Sequence, residues 1–108
     1  MPTQKARPRY LAFRVIAGKP ASQLEVFNAI SNAILSLHGE YGLACANIHL
    51  IDFNPGKNCG IIKCNHKAVN LLRSSIVTVT QIAGQPAVVF ATRVSGTIKR
   101  LRQKLLSK

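Results

Sequence analysis

The sequence predicts an α+β sandwich, and three observations carry that prediction. Short runs with two-residue apolar alternation are interleaved with longer segments whose apolar residues recur at helical spacing. Each longer segment opens on a capping signal, first Ser22 with Glu25 and later Asn65. Asn54-Pro55-Gly56 is a turn signal between two strand-like runs, with no room for a helix between them.

The elements follow in order. Residues 9–17 alternate, with Leu11, Phe13 and Val15 on one side and Tyr10, Ala12 and Arg14 on the other. That is a strand with one core face and one face open to a ligand. Gly18-Lys19-Pro20 ends it. The Ser22 capping box starts a helix expected to run to about Leu37, with Phe27, Ile30, Ile34 and Leu37 toward the core and Gly39 at the C′ position. Residues 43–53 read as a long second strand, with Leu43, Cys45, Asn47, His49 and Ile51 on one face and Ala44, Ala46, Ile48, Leu50 and Asp52 on the other. Residues 60–64 return as a third strand. Asn65 caps a second helix over about 66–77, with Val69, Leu72 and Ile76 inward. Gly84-Gln85-Pro86 turns the chain into a fourth strand over 87–94. The last residues open with Ser95-Gly96-Thr97 and place Ile98, Leu101 and Leu105 at i, i+3 and i+7, so they predict a basic helix with an apolar stripe.

The order β-α-β-β-α-β-α gives a ferredoxin-like, RRM-like α/β sandwich, with a four-stranded antiparallel sheet and helices on one face. Residues 1–8 are expected to be a flexible basic arm, and 9–108 a single domain that includes the C-terminal helix. A chain of 108 residues, 47% of them hydrophobic, suffices for one domain with its own core.

Charge narrows the function. Fifteen Lys and Arg face only three acids, Glu25, Glu40 and Asp52, for a net charge of +12. Self-repulsion of that size calls for an anionic partner: RNA, DNA or a membrane surface. No stretch approaches the roughly 20 apolar residues of a membrane span. Lys5, Arg7 and Arg9 have no apolar run behind them, so no secretory signal is expected. Cys45, Cys59 and Cys64 form no C-x-x-C pair and read as reduced thiols of an intracellular protein.

Protein-borne catalysis is poorly supported. Mg²⁺-dependent phosphoryl chemistry needs clustered carboxylates, and here Glu25 is taken as a cap while Glu40 is expected in a loop and Asp52 near a strand end. His38, His49 and His66 have the right chemistry for acid or base work, but solvent-exposed or hydrogen-bonded structural roles explain them equally. Cys59, Cys64 and His66 fit no common zinc spacing and lack a fourth ligand. No phosphate-loop or dinucleotide glycine pattern is present.

The basic residues are the stronger signal. They cluster as Lys5, Arg7, Arg9 and Arg14; as Lys57, Lys63 and Lys67; and from Arg93 onward, where six of the fifteen lie. Candidate RNA contacts are Arg9, Arg14, Lys63, Lys67, Arg93, Ser95, Gly96, Thr97, Lys99, Arg100, Arg102 and Lys104. Lys99, Arg100 and Lys104 lie opposite the apolar stripe, and Arg102 beside it, so its stem packs while its head reaches out. Backbone N–H groups at Gly96 and Thr97 suit a phosphate, although a plain helix cap explains Ser95 as well. The third strand carries no aromatic residue, so base stacking on the sheet is not expected. Candidate protein-partner residues are Val77, Val79, Ile82, Val88 and Phe90.

Arg9-Tyr10-Leu11, His38-Gly39-x-x-Gly42, Gly60-Ile61-Ile62-Lys63-Cys64 and Val94-Ser95-Gly96-Thr97-Ile98-Lys99-Arg100 together resemble the archaeal branch of the ribonuclease P/MRP subunit family called Pop-five in eukaryotes. The blocks are short, but they fall in order over nearly the whole chain; the very low acid content is a departure. The resemblance implies a cytoplasmic subunit of the ribonucleoprotein that cuts precursor tRNA at the mature 5′ end. It implies that chemistry belongs to the catalytic RNA and its Mg²⁺, with no cofactor held by this chain. Implied partners are that RNA, RNase P protein component 3 with its barrel-like fold, other RNase P proteins and precursor tRNA. It further implies assembly as a dimer of heterodimers, with no membrane role. The alternative from charge alone is a general nucleic-acid-binding or packaging protein, which would hold duplex DNA as well as RNA.

Overall fold

The computed structural model describes residues 7–19, 21–54 and 56–99. Five strands and two helices follow in the order β1 (Pro8–Ala17), α1 (Gln23–Ala46), β2 (His49–Asn54), β3 (Cys59–Asn65), α2 (Val69–Ile76), β4 (Gln81–Ile82) and β5 (Gln85–Ser95). A single 3₁₀ turn, His66–Ala68, leads into α2. The sheet order is β2-β3-β1-β5-β4, and every neighbouring pair is antiparallel. β1 and β2 are therefore parallel with β3 inserted between them, and β3 and β5 are parallel with β1 inserted. These are two interleaved split βαβ units, the ferredoxin-like arrangement that the element order predicts.

One face of the sheet is buried under both helices. Leu11, Phe13 and Val15 of β1, Ile62 and Cys64 of β3 and Val89 of β5 join Val26, Ile30 and Ile34 of α1 and Leu72 and Ile76 of α2 in one cluster. Burial of a Leu, Ile or Phe side chain stabilises by about 1.5–3 kcal/mol, so this layer holds the domain together. Ser75 is buried within it, and its hydroxyl donates to the Leu71 carbonyl at 2.8 Å.

The capping signals are realised. Ser22 Oγ accepts from the Glu25 N–H at 3.2 Å, and the Glu25 carboxylate accepts from the Ser22 N–H at 2.9 Å. Asn65 Oδ1 accepts from the Lys67 N–H at 3.2 Å.

Three expectations are corrected. First, Gly39 does take a positive φ of 74°, but it kinks α1 instead of ending it. The helix resumes through Ala46, so Leu43 and Cys45 are helical and the second strand begins only at His49. Leu37, expected inward, is exposed just before the kink, and Val26 takes a core place. Second, Thr80 to Gln85 fold into a hairpin that adds β4 as a fifth strand. The turn is Ala83-Gly84, both with positive φ (53° and 80°), as in a type I′ turn, and Pro86 already belongs to β5. Third, Ala12 is buried although it lies on the face opposite the helices.

Gly60 shows how tightly the sheet is packed. A Cβ there would lie 2.6 Å from the Asp52 carbonyl oxygen and 2.9 Å from the Phe13 ring. Phe13 and Phe53, its paired neighbours on either side, stack with centroids 6.3 Å apart.

Candidate nucleic-acid interface

The strand register sorts the residues of the second, helix-free face into rows. Tyr10 pairs with Lys63 and Ser95, and Lys63 also pairs with His49. Ala12 pairs with Ile61 and Arg93, and Ile61 with Asp52. Arg14 pairs with Cys59 and Phe90, and Ile16 with Val88. Directly paired residues share a face, so this surface runs from a basic end, where β1 begins and β3 and β5 finish, to an apolar end.

The basic end gathers Arg7, Arg9, Lys63, Lys67, Arg93 and Lys99 from four separate segments. Lys67, Arg93 and Lys99 are exposed, and Arg9 and Lys63 are half-buried. Arg9 differs from the others, because its parity places it on the helix side of β1, opposite Cys64. Burial raises the Cys64 thiol above its ordinary value, and the Arg9 guanidinium opposes that rise. One Arg9 guanidinium nitrogen donates to the Pro8 carbonyl at 3.0 Å, and it lies 3.5 Å from where a Gly96 Cβ would stand. Arg9 and the Ser95-Gly96-Thr97 turn therefore form one corner. Ser95 Oγ accepts from the Thr97 N–H at 3.1 Å, which closes a side-chain turn two residues long just ahead of the helical residues Ile98 and Lys99; Ser95 is not their cap.

A bulge on each flank shapes the centre of this face. Thr92 is an extra residue in β5, and its hydroxyl donates to the Ala12 carbonyl at 3.2 Å. Ile51 is an extra residue in β2, and it joins Tyr10, Ala12 and Ile61 in a small apolar cluster that Ile98 also packs against. Sequence alternation already groups Ile51 with His49 on this face; Asp52, expected on the Leu50 side, is the residue that the bulge brings across, opposite Ile61.

The structure thus brings Arg9, Lys63, Lys67, Arg93, Ser95, Gly96, Thr97 and Lys99 to one end. It sets Arg14 apart, beside Phe90 and near Lys57 in a shallow groove toward the apolar end. Arg100, Arg102 and Lys104 lie outside the described residues. Of the candidate partner residues, Val77 (69% exposed), Val88 (55%) and Phe90 (37%) are accessible. Val79 (7%) and Ile82 (2%) belong to this domain's own core, so as candidates for a protein contact these two side chains are corrected. Ile16 was not singled out from the sequence, yet it is 61% exposed and continues the apolar end beside Val88.

Glu25, Glu40 and Asp52 are distributed over α1 and β2. No three His, Cys, Asp or Glu side chains come together in a metal-holding group among the described residues. No helix among them is long and apolar enough to cross a membrane.

Comparison with known proteins agrees with this architecture. Residues 9–106 match the family described as the Rpp14/Pop5 family. Ribonuclease P protein component 2 of Methanosarcina mazei is 36% identical over 106 residues, covering 98% of this chain and 90% of that protein. The protein of the same name from Pyrococcus furiosus is 41% identical, covering 98% and 88%. A chain in the cryo-EM structure of yeast Ribonuclease MRP superposes with a TM-score of 0.66 at 16% identity, over 98% of this chain and 92% of that one, and so shares the fold. The chain belongs to the Rpp14/Pop5 family.

Proposed function

We propose that this member of the Rpp14/Pop5 family is a protein subunit of ribonuclease P, the ribonucleoprotein that cleaves precursor tRNA to make its mature 5′ end. The observation that carries this is the match to curated ribonuclease P subunits over 98% of the chain. The convergence of six Lys and Arg at one end of the sheet supports it.

In this reading the protein does not perform the cleavage. The reaction's Mg²⁺ would be held by the RNA subunit, a reading supported by the lack of a carboxylate cluster among the described residues. What the chain supplies is cationic surface. Phosphates crowd together as a catalytic RNA folds, and Lys and Arg side chains neutralise them while releasing counterions. Arg9, Lys63 and Arg93 are suited to this, because the sheet fixes the spacing of their backbone positions before the RNA arrives, so that only side-chain freedom remains to be lost. The catalytic domain of the RNA is the natural recipient. The apolar end of the face is suited to RNase P protein component 3, and a dimer of such heterodimers is the assembly we favour, with the cytoplasm as its compartment.

The test is reconstitution. Adding the chain with component 3 to a ribonuclease P RNA should restore precursor-tRNA cleavage at Mg²⁺ concentrations where the RNA alone is inactive. If roughly six phosphates are engaged, the logarithm of the RNA affinity should fall with the logarithm of salt with a slope of about −4 to −5. No gain in cleavage, with duplex DNA bound as well as RNA, would instead identify a general packaging protein.

A further inference from the structure

We propose that the outer edge of β5 receives an extended, acid-bearing segment of a partner protein, which joins the sheet as an added strand beside Val89 and Ala91. The backbone directions point to it. The Ala87 N–H points away from β1 and donates to the Thr80 carbonyl at 2.9 Å. Along a strand the N–H and C=O groups of successive residues point to alternate sides, so Val89 and Ala91 point outward as well. β1 gives the same answer independently. Its Val15 N–H donates to the Asn58 carbonyl at 2.7 Å, away from β5, and Val15 and Phe13 are the pairing partners of Val89 and Ala91. The short β4 covers this edge only opposite Gln85 and Pro86. Ahead of Thr80 the chain turns off, with the Thr78 and Val79 N–H groups donating back to the Ser75 and Ile76 carbonyls. Among the described residues, no strand pairs with the outer side of β5 between Ala87 and the Thr92 bulge.

Edges of this kind are usually blunted by lysines, by proline or by a covering element. Residues 87–91 read Ala-Val-Val-Phe-Ala and carry no charge, and Val88 and Phe90 stand exposed on the open face beside the edge. Each outward residue offers one donor and one acceptor. An extended peptide satisfies both, whereas an RNA phosphate would meet the Val89 and Ala91 carbonyls with charge of the same sign. Charge then selects the peptide. Neither β1 nor β5 contains an acid, and Arg14 pairs with Phe90 and shares a groove with Lys57. A segment with apolar side chains for Val88 and Phe90 and a carboxylate for Arg14 is therefore the complementary one. A second copy of the chain is a poorer occupant, because it would bring +12 against +12. Only the choice of component 3 as the partner rests on the proposed function; the open edge does not.

Amide hydrogen exchange in the whole chain reads the edge directly. The Val89 and Ala91 amides should exchange quickly in the free protein and slow by about tenfold or more when component 3 is added. Amides that are already slow in the free chain would overturn the proposal, as would amides that component 3 leaves fast. Slowing by RNA alone, or only by a rise in protein concentration (a second copy), would overturn it too. Ala91→Pro removes one outward N–H and spares the pairing with β1, and should weaken the complex by about tenfold. An unchanged affinity would overturn the strand addition; if this variant does not fold, exchange in the unaltered chain decides. Arg14→Glu should weaken the complex at low salt and less so at high salt, and no effect would overturn the acidic character of the segment. Cleavage restored with both amides still fast sinks the edge pairing and leaves the proposed function standing. Amides protected without restored cleavage do the reverse.

Discussion

The two ends of the open sheet face lie side by side on the same strands and are built in opposite ways. At the basic end, Lys63 and Arg93 come from β3 and β5, and Arg9 of β1 reaches the Ser95-Gly96 turn from the helix side. At the apolar end, Ile16, Val88 and Phe90 stand more than a third exposed, with Arg14 and Lys57 at their margin. Charge gathered from several strands resists folding, since like charges repel, and it is tolerated where a polyanion relieves it. Exposed apolar side chains in adjacent rows suit burial against a protein surface. In the proposed reading, two kinds of partner would therefore dock on one sheet without competing for the same residues. The cluster of Ala12, Ile51, Ile61 and Ile98 separates them.

The largest effect is expected from placing charge at the apolar end. Val88→Asp with Phe90→Asp should weaken the proposed complex with component 3 by about 2 kcal/mol or more, roughly 30-fold, measured by calorimetry. The salt slope of RNA binding should not change. If that slope falls as well, the two ends are one surface and the comparison fails. A smaller effect, of the opposite kind, is expected at the basic end. Replacing Arg9, Lys63 and Arg93 together by Ala should make the salt slope shallower by about 2–3, with the partner complex retained. The smallest effect sharpens the boundary of the apolar end. Ala83 holds a φ of 53° in the β4–β5 turn, a conformation that Asn adopts more readily. Ala83→Asn should stabilise the domain by about 0.5 kcal/mol, a rise of about 2–4 °C in thermal midpoint, with both binding activities unchanged.

Much of this was legible in the chain because its signals are local. The Ser22–Glu25 box and the Asn65 cap each depend on residues within three positions of one another, and both form as expected, whereas Ser95 closes a turn ahead of the helical residues instead of capping them. The misjudged segments are those where distant contacts outweighed a local pattern. Residues 43–46 alternate well enough for a strand, but after the Gly39 kink Ala46 and Leu43 pack into the helix layer, and burial keeps them helical. Val79 and Ile82 looked like free β-branched residues, whereas the short β4 hairpin folds them onto the core. Its turn went unseen because Ala83 stands where Asn or Gly would usually announce it.

The sequence by itself determined the order of the main elements, the excess of positive charge and the scarcity of acids, because each follows from residue type and from spacing along the chain. Only the tertiary structure decided which charges share a surface. Lys63 and Arg93 are thirty positions apart, yet only β1 separates their strands. It also decided that Arg9 looks toward the helices, that Asp52 crosses onto the open face through a bulge, and that Ile98 packs at the centre of that face. The physical reason is that register and bulges are fixed by pairing between strands far apart in the chain, and a shift of one residue moves a side chain from one face of a sheet to the other.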